Sequence, residues 1–497
     1  MEINLENKRI DVCKELSYQS KIIQEQCESV VPDTDDDIGK LAALQSHVLL
    51  KSKDITGRGV LVTGELAASL MYISETQDKT SFIKLKKGFS IEFEVADIRP
   101  DAVAQVNLTV LSAEARLINP RKVSVCFEIN ADMNCYIQEE MSVEYGLPAE
   151  CSQGIHAKYE SLDLNITSAV CEKTFSLNEQ FTFPGGKPKP SKLVFANADL
   201  TTTDIQLIGT KAIAKGSANI CLVYFSDDAS YPIKTEFSTM FSQIIDMGEE
   251  TVDSCTLIPS ITGIYYNIAD SISGDKLIEI ELHAVLQLVC RSKRQMVYVS
   301  DAYSNLMPYE CKTEKNLINY VSNNAIKINA DERLNISDCS DVLSIFTSLP
   351  RIHDSDKTQA VINVDIIYKD KSGFLSTARR NINVKTEIPD ENFRINSSRI
   401  IDLYLRPDGE NIDCHFALEL TYTSCVAREI KRLSSISLFD NEIMDMEKLP
   451  SLTIVRCCGE SVWELAKKYH SSVERISEYN DLEDGIDGKM ILVPKCI

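Results

Sequence analysis

Glycine and proline are scarce, at 19 and 15 of 497 residues, which excludes collagen-like and low-complexity chains. Basic residues fall short too: Lys+Arg 52 against Asp+Glu 74 leaves a net charge of −22. That balance gives no general attraction to nucleic acid or to an anionic membrane surface. No stretch approaches the roughly 20 consecutive apolar residues of a membrane-spanning helix. The opening MEINLENKRIDVCKEL is charged throughout and unlike a secretory leader. A cytosolic chain with no direct membrane insertion and no nucleic-acid partner is expected.

Motifs that carry chemistry are missing as well. There is no G-x-x-x-x-G-K-[ST], no G-x-G-x-x-G after a strand, no H-E-x-x-H and no G-x-S-x-G. The histidines, His47, His156, His283, His353, His415 and His470, are far apart in the chain. Asp33-Thr34-Asp35-Asp36-Asp37 starts like a calcium loop, but Ile38 stands where the glycine belongs and Leu44 where the bidentate glutamate belongs. No catalytic residue, metal ligand or cofactor is assigned, and the chain is expected not to be an enzyme.

Cysteine, by contrast, is plentiful at 16, yet no C-x-x-C occurs and only Cys457 and Cys458 are neighbours. Scattered placement of this kind reads as reduced, small hydrophobic residues in a reducing compartment. It leaves open whether they cross-link later in a mature assembly.

What the chain does contain is itself, repeated. Gly64-Glu65-Leu66 leading into Leu70-Met71-Tyr72-Ile73 recurs 152 positions on as Gly216-Ser217-Ala218 leading into Leu222-Val223-Tyr224-Phe225. The same offset carries Phe89-Ser90 onto Phe241-Ser242 and Val31-Pro32 onto Phe183-Pro184. Val125 to Ala131 matches Ile278 to Ala284 and, in a third and shorter copy, Phe416 to Tyr422; Ile366-Ile367-Tyr368 is that copy's counterpart of Leu70-Met71-Tyr72. Pro148-Ala149-Glu150-Cys151 is echoed by Pro308-Tyr309-Glu310-Cys311. A period this long marks whole domains, not solenoid units.

Within each copy apolar residues alternate, as in Val123, Val125, Phe127, Ile129 and in Ile278, Ile280, Leu282, the period of half-buried strands. The same period runs through Ile362, Val364, Ile366 and through Ile382, Val384. Turn clusters separate such runs at Thr56-Gly57-Arg58-Gly59, Pro184-Gly185-Gly186-Lys187-Pro188, Ser273-Gly274-Asp275 and Pro407-Asp408-Gly409. Glu128, Glu281 and Glu419 fall on the outward phase, one per copy, which suits a solvated face or a contact between domains. The expectation is a multidomain, mainly β chain of sandwich-like modules at 1–160, 161–312 and 313–440, a linker at 441–450 and a small unit at 451–497.

That last unit changes period. A short strand, Thr453 to Cys457, precedes Val462, Leu465, Ala466 and Tyr469, one apolar helical face with Ser461 placed to cap it. Ser472 can cap a second helix, Val473 to Asn480, and Met490 to Pro494 forms a closing strand. Trp463, Leu465, Ala466, Tyr469 and Ile476 are read as core. The order is β-α-α-β.

The residues Gly459-Glu460-Ser461-Val462-Trp463-x-Leu465-Ala466-x-x-Tyr469, then Ser472-Val473-x-x-Ile476-x-x-x-Asn480-x-Leu482, then Ile486 and Leu492-Val493-Pro494, resemble the LysM module nearly end to end. Arg456, His470 and a shortened stretch between Ile486 and Gly488 depart from its pattern. The upstream copies resemble the SPOCS domain of spore-envelope proteins. Copy two carries this best, at Ala196 to Leu200, Asp204 to Ile208, Gly216 to Tyr224 and Asp301-Ala302-Tyr303-Ser304.

The resemblance implies a LysM groove of Gly459, Glu460, Ser461 and Val462 facing Leu482, Gly485 and Ile486. It also implies a non-enzymatic adaptor of spore-coat morphogenesis, in the mother-cell cytoplasm at the forespore surface, docking onto a SpoIVA-like morphogenetic ATPase. The alternative it implies is a cortex or cell-wall protein that binds peptidoglycan through N-acetylglucosamine. Self-association is left open by both.

Overall fold

A computed structural model describes residues 2–495 apart from 77, 149–153, 184–185, 249–251, 271–275, 349, 354–355, 387, 389–392, 409–410, 440–449 and 483–484. The expected linker at 441–450, except Pro450, therefore lies outside the described residues. So do the expected turn residues Pro184, Gly185, Ser273, Gly274, Asp275 and Gly409, as well as Ala149, Glu150, Cys151, Glu483, Asp484 and Cys496.

The described chain is mainly antiparallel β, with two short helices near its end. Its first 438 residues repeat one two-sheet plan three times. In the first copy a long strand, Glu6–Val30, leads into a three-stranded meander, Ile38–Ile55, Gly59–Ser74 and Thr80–Glu94. The chain then returns as Val103–Asn119 and Lys122–Gly146, and Lys122–Gly146 lies between Glu6–Val30 and Val103–Asn119 in an outer sheet. The second copy repeats this order. Its meander is Lys192–Ile208, Lys211–Ser226 and Ala229–Asp246, and its outer sheet is Ile155–Thr182, Lys276–Ser304 and Ser254–Asp270 with Lys276–Ser304 central. The third centres its outer sheet on Asn411–Leu438 and splits the first meander strand into Cys339–Thr347 and Arg351–His353. Two of the long strands, Ile155–Thr182 and Tyr309–Asn335, run unbroken through positions 160 and 312.

Alternation explains each sandwich. Val123, Val125, Phe127 and Ile129 are buried, as are Ile278, Ile280 and Leu282, and each set shares one apolar cluster with its own meander. The repeated Gly-Phe pairs have a steric cause: Gly64 pairs across the sheet with Phe89, and a Cβ at Gly64 would come within 2.3 Å of that ring. Gly216 stands in the same relation to Phe241, at 2.6 Å. In the third copy Ala360 opposes Val384, so a larger residue on one strand meets a smaller one on the other.

The turn expected at Thr56 to Gly59 closes with Thr56 N–H donating to the Gly59 carbonyl at 2.8 Å. The acidic run at Asp33 to Asp37 is held by cations: Arg121 donates to Asp37 at 2.6 Å and Lys79 pairs with Asp36 at 2.5 Å. Two of the repeated glutamates meet an arginine of the third copy. Glu128 of the first copy pairs with Arg351 at 2.6 Å, and Glu419 pairs with Arg399, which also donates to Thr201 of the second copy. Glu281 pairs with His283 at 2.7 Å.

The meanders meet one another through residues the repeat had already aligned. Met71, Val223 and Ile367 are fully buried in a shared apolar cluster with Phe82, Phe195 and Phe346. Their neighbours on either side, such as Leu70 and Tyr72, face their own module's core. These strand ends are buried on both faces, which is why they read as continuous apolar runs. The N-terminal strand Glu2–Asn4 pairs with Ser435–Ser437 of the third module. Ile3 and Leu5 thereby join a cluster with Ile155, Ala302 and Ile436, drawn from modules two and three.

Candidate functional site

The C-terminal unit folds from its own local signals. Strand Leu452–Arg456 pairs antiparallel with Met490–Pro494, and between them lie helices α1 (Val462–Lys468) and α2 (Val473–Tyr479). Ser461 and Glu464 form a reciprocal capping box: the serine hydroxyl accepts from Glu464 N–H, and the glutamate accepts from Ser461 N–H at 2.7 Å. The Ser461 N–H and hydroxyl, both donating to it, hold the Glu464 carboxyl below its usual range. Ser472 caps α2 by accepting from Arg475 N–H at 3.2 Å. Leu465, Ala466 and Ile476 are fully buried, while Trp463 and Tyr469 pack half-buried against them. Asn480 does more than lie along a helix face. Its amide donates to the Ile476 and Leu492 carbonyls and accepts from Leu492 N–H, tying α2 to the last strand.

The two flanks of the expected groove are brought together. Gly459 N–H donates to Asp487 at 2.9 Å, and Gly488 N–H donates to the Cys457 carbonyl at 3.0 Å, so the strand-to-helix loop and the loop before the last strand are joined. Gly459 and Gly485 adopt φ of +90° and +74°, conformations that favour glycine. Glu460 folds back to accept from Cys458 N–H at 2.9 Å, which lowers its carboxyl's proton affinity. Val462, Leu482 and Ile486 rest half-buried on the unit's core. Gly459, Ser461 and Gly485 are exposed, and none of the seven residues is buried.

No family model, curated protein or solved structure matches the chain. No described helix is long and apolar enough to cross a membrane.

The unit is seated on the second module. Asp301 accepts from the Trp463 indole at 2.9 Å and from Lys467 at 2.7 and 2.8 Å. Tyr303 enters the unit's core, edge-on to Trp463 with ring centroids 4.9 Å apart, and donates its hydroxyl to the Ser471 carbonyl at 2.8 Å. His156 stacks on that tyrosine with ring centroids 4.9 Å apart, and burial lowers its pKa. In the sequence Asp301 and Tyr303 count only among the residues that carry the second copy's family resemblance; a carboxylate and an aromatic two residues apart on one strand face are the signal for an anchor.

A second surface is exposed on the same unit. Leu452, Ile454 and Met490 of the two-stranded ladder are exposed, Ile454 at 58% and Met490 at 61%. Their signal is an apolar outward phase where a surface strand ordinarily carries polar residues.

Proposed function

We propose that this chain is a non-enzymatic adaptor of spore-coat assembly. Three β modules form the scaffold, and a LysM-like unit docks onto the SpoIVA-like ATPase of the coat's basal layer, in the mother cell at the forespore surface. The tandem modules ahead of one terminal unit resemble the SpoIVA-interacting protein of clostridial spores. One observation carries the reading. All seven groove residues keep access to solvent while Trp463 and Lys467 of the same unit are fixed to Asp301. A head held in place by its scaffold loses less freedom when it binds. Acidic Glu460 and Asp487 at the groove's loops suit a basic patch on a protein partner.

The test uses the full chain and a Val462→Asp, Ile486→Asp double variant whose folding is checked by thermal unfolding. Each is immobilised and offered purified SpoIVA-like ATPase. Retention by the parent chain and at least a tenfold loss in the double variant supports the reading; equal retention overturns it. Tight binding to purified peptidoglycan with no ATPase retained would establish the glycan-binding alternative instead.

A further inference from the structure

The outer sheets of the three modules meet round a cavity of about 610 Å³ to which every module contributes. Two features of its lining are unusual. Arg291, on the central strand of module two, is only 7% exposed, and no carboxylate among the described residues lies within ion-pair distance of it. Its Nη1 donates to the Thr256 hydroxyl at 2.5 Å, and its Nε has no partner. Gln105, from module one, is 4% exposed, and its Nε2 is likewise unpartnered.

The neighbouring charges are otherwise engaged. Arg394 of module three makes a two-pronged contact with Glu15, both at 3.0 Å, and lies over the Tyr18 ring at 3.8 Å. Asp132 accepts from the Tyr18 hydroxyl and from Asn130. The amide nitrogens of Asn107 and Asn165 are spent on carbonyls of module three. Every unpartnered buried side-chain atom in this lining is therefore a donor. Water can satisfy such donors, but it brings no charge to a buried guanidinium. Burial pushes Arg291 below its ordinary pKa, and the Glu15 carboxylate, already paired with Arg394, only partly offsets it.

We propose that this three-module cavity binds a small oxyanion, a carboxylate or a phosphate, through Arg291 and Gln105. Guanidinium and amide donors from two modules supply both the charge and the directed hydrogen bonds such a group needs. The ligand would bridge modules one and two at a point where their own side chains leave a gap. This site is separate from the groove of the C-terminal unit.

The test is thermal unfolding of the full chain in rising inorganic phosphate or citrate, each matched in ionic strength with sodium chloride. The parent chain is compared with Arg291→Met, Arg291→Lys and Gln105→Leu. Phosphate and citrate also stabilise proteins by exclusion from their surfaces, so the difference between parent and variant reads the site. The expected result is a saturable rise in Tm for the parent with at least one of the two anions, and the better anion identifies the ligand class. Arg291→Met should unfold no lower than the parent in chloride alone and lose the saturable rise. Arg291→Lys and Gln105→Leu should each weaken apparent affinity at least tenfold. An equal rise in parent and Arg291→Met, or no rise beyond chloride with either anion, overturns the proposal. Should Arg291→Met fail to fold, the Arg291→Lys and Gln105→Leu titrations decide it by the same criterion.

Discussion

Where the meanders join, Met71, Val223 and Ile367 close an apolar cluster; where the outer sheets join, Arg291 and Arg394 face a hollow lined with amides and hydroxyls. Both junctions are built from the same repeated module, yet they obey different rules. Apolar burial has no direction, so a methionine, a valine and an isoleucine at equivalent places serve alike. Hydrogen bonds do have direction, and the polar junction is correspondingly unequal. Asn134, Gln287 and Cys425 occupy matching positions of the three copies and do three different things. Asn134 accepts from Arg394 at 2.9 Å, and Cys425 lines the hollow. Gln287 is a clamp: its side-chain amide accepts from Val106 N–H at 2.9 Å and donates to the Val106 carbonyl at 2.7 Å. It thereby satisfies the outward groups of an edge strand in another module, which would otherwise be open to pairing with a foreign chain.

The contrast breaks most sharply on the dry side. Met71→Asp, between Ala43 and Phe82, places an unpaired carboxylate in the apolar cluster and should cost about 3–5 kcal/mol. Denaturant unfolding would then show separate transitions in place of one if the dry junction is what couples the modules. Gln287→Leu on the wet side leaves both Val106 groups and the Lys53 ammonium, 2.9 Å from the Gln287 oxygen, without that partner. A loss of about 2–4 kcal/mol is expected, together with faster hydrogen exchange along Val103–Asn119. A loss under about 0.5 kcal/mol in the same denaturation would mean the clamp is replaced by water at no cost.

His47 tests the dry side by pH. Its ring lies tilted against Phe195 of the second module, centroids 5.0 Å apart, and burial, followed by Lys86 and Lys51, lowers its pKa from 6.5 to about 4. A lowered folded pKa means the unfolded chain takes the proton first. Stability held above pH 6.5 should therefore decline as pH falls toward about 4, by about 3 kcal/mol. The readout is the difference between the parent and His47→Phe across that window, and parallel curves would show that His47 does not titrate as described. The smallest effect belongs to the wet side. Arg394→Gln removes the pair with Glu15, but both side chains keep about a third of their surface in water, so about 1 kcal/mol is expected by the same denaturation.

Much of this architecture could be read from residues alone. Alternation at Val123 to Ile129 implied a half-buried strand, and Ser461 and Ser472 marked two helix starts at the positions where the caps form. What a period of two cannot say is what covers a strand's second face. The run Leu70 to Ile73 was apolar on both phases, and only the assembled modules show that Met71 belongs to a neighbour's contact. That the two loops flanking the expected groove lie together was legible because the same short unit contains both. The Asp301 and Tyr303 anchor was not, since its partners, Trp463 and Ser471, come from a part of the chain with a different period. Arg291 and Gln105 were the least legible of all. Each is an ordinary strand residue until strands from separate modules enclose it.

Tyr303 and Tyr309 pack against the C-terminal unit, while Tyr309 also packs against the cluster of Ile3, Ile155, Ala302 and Ile436. The seat of that unit is therefore also the seam between modules two and three, where the chain's first strand is stitched in. Any pull on the unit would load this seam directly, and the strain would pass into two modules and the N-terminal strand at once. Anchored there, the unit is less a weight on a tether than a handle set into a joint.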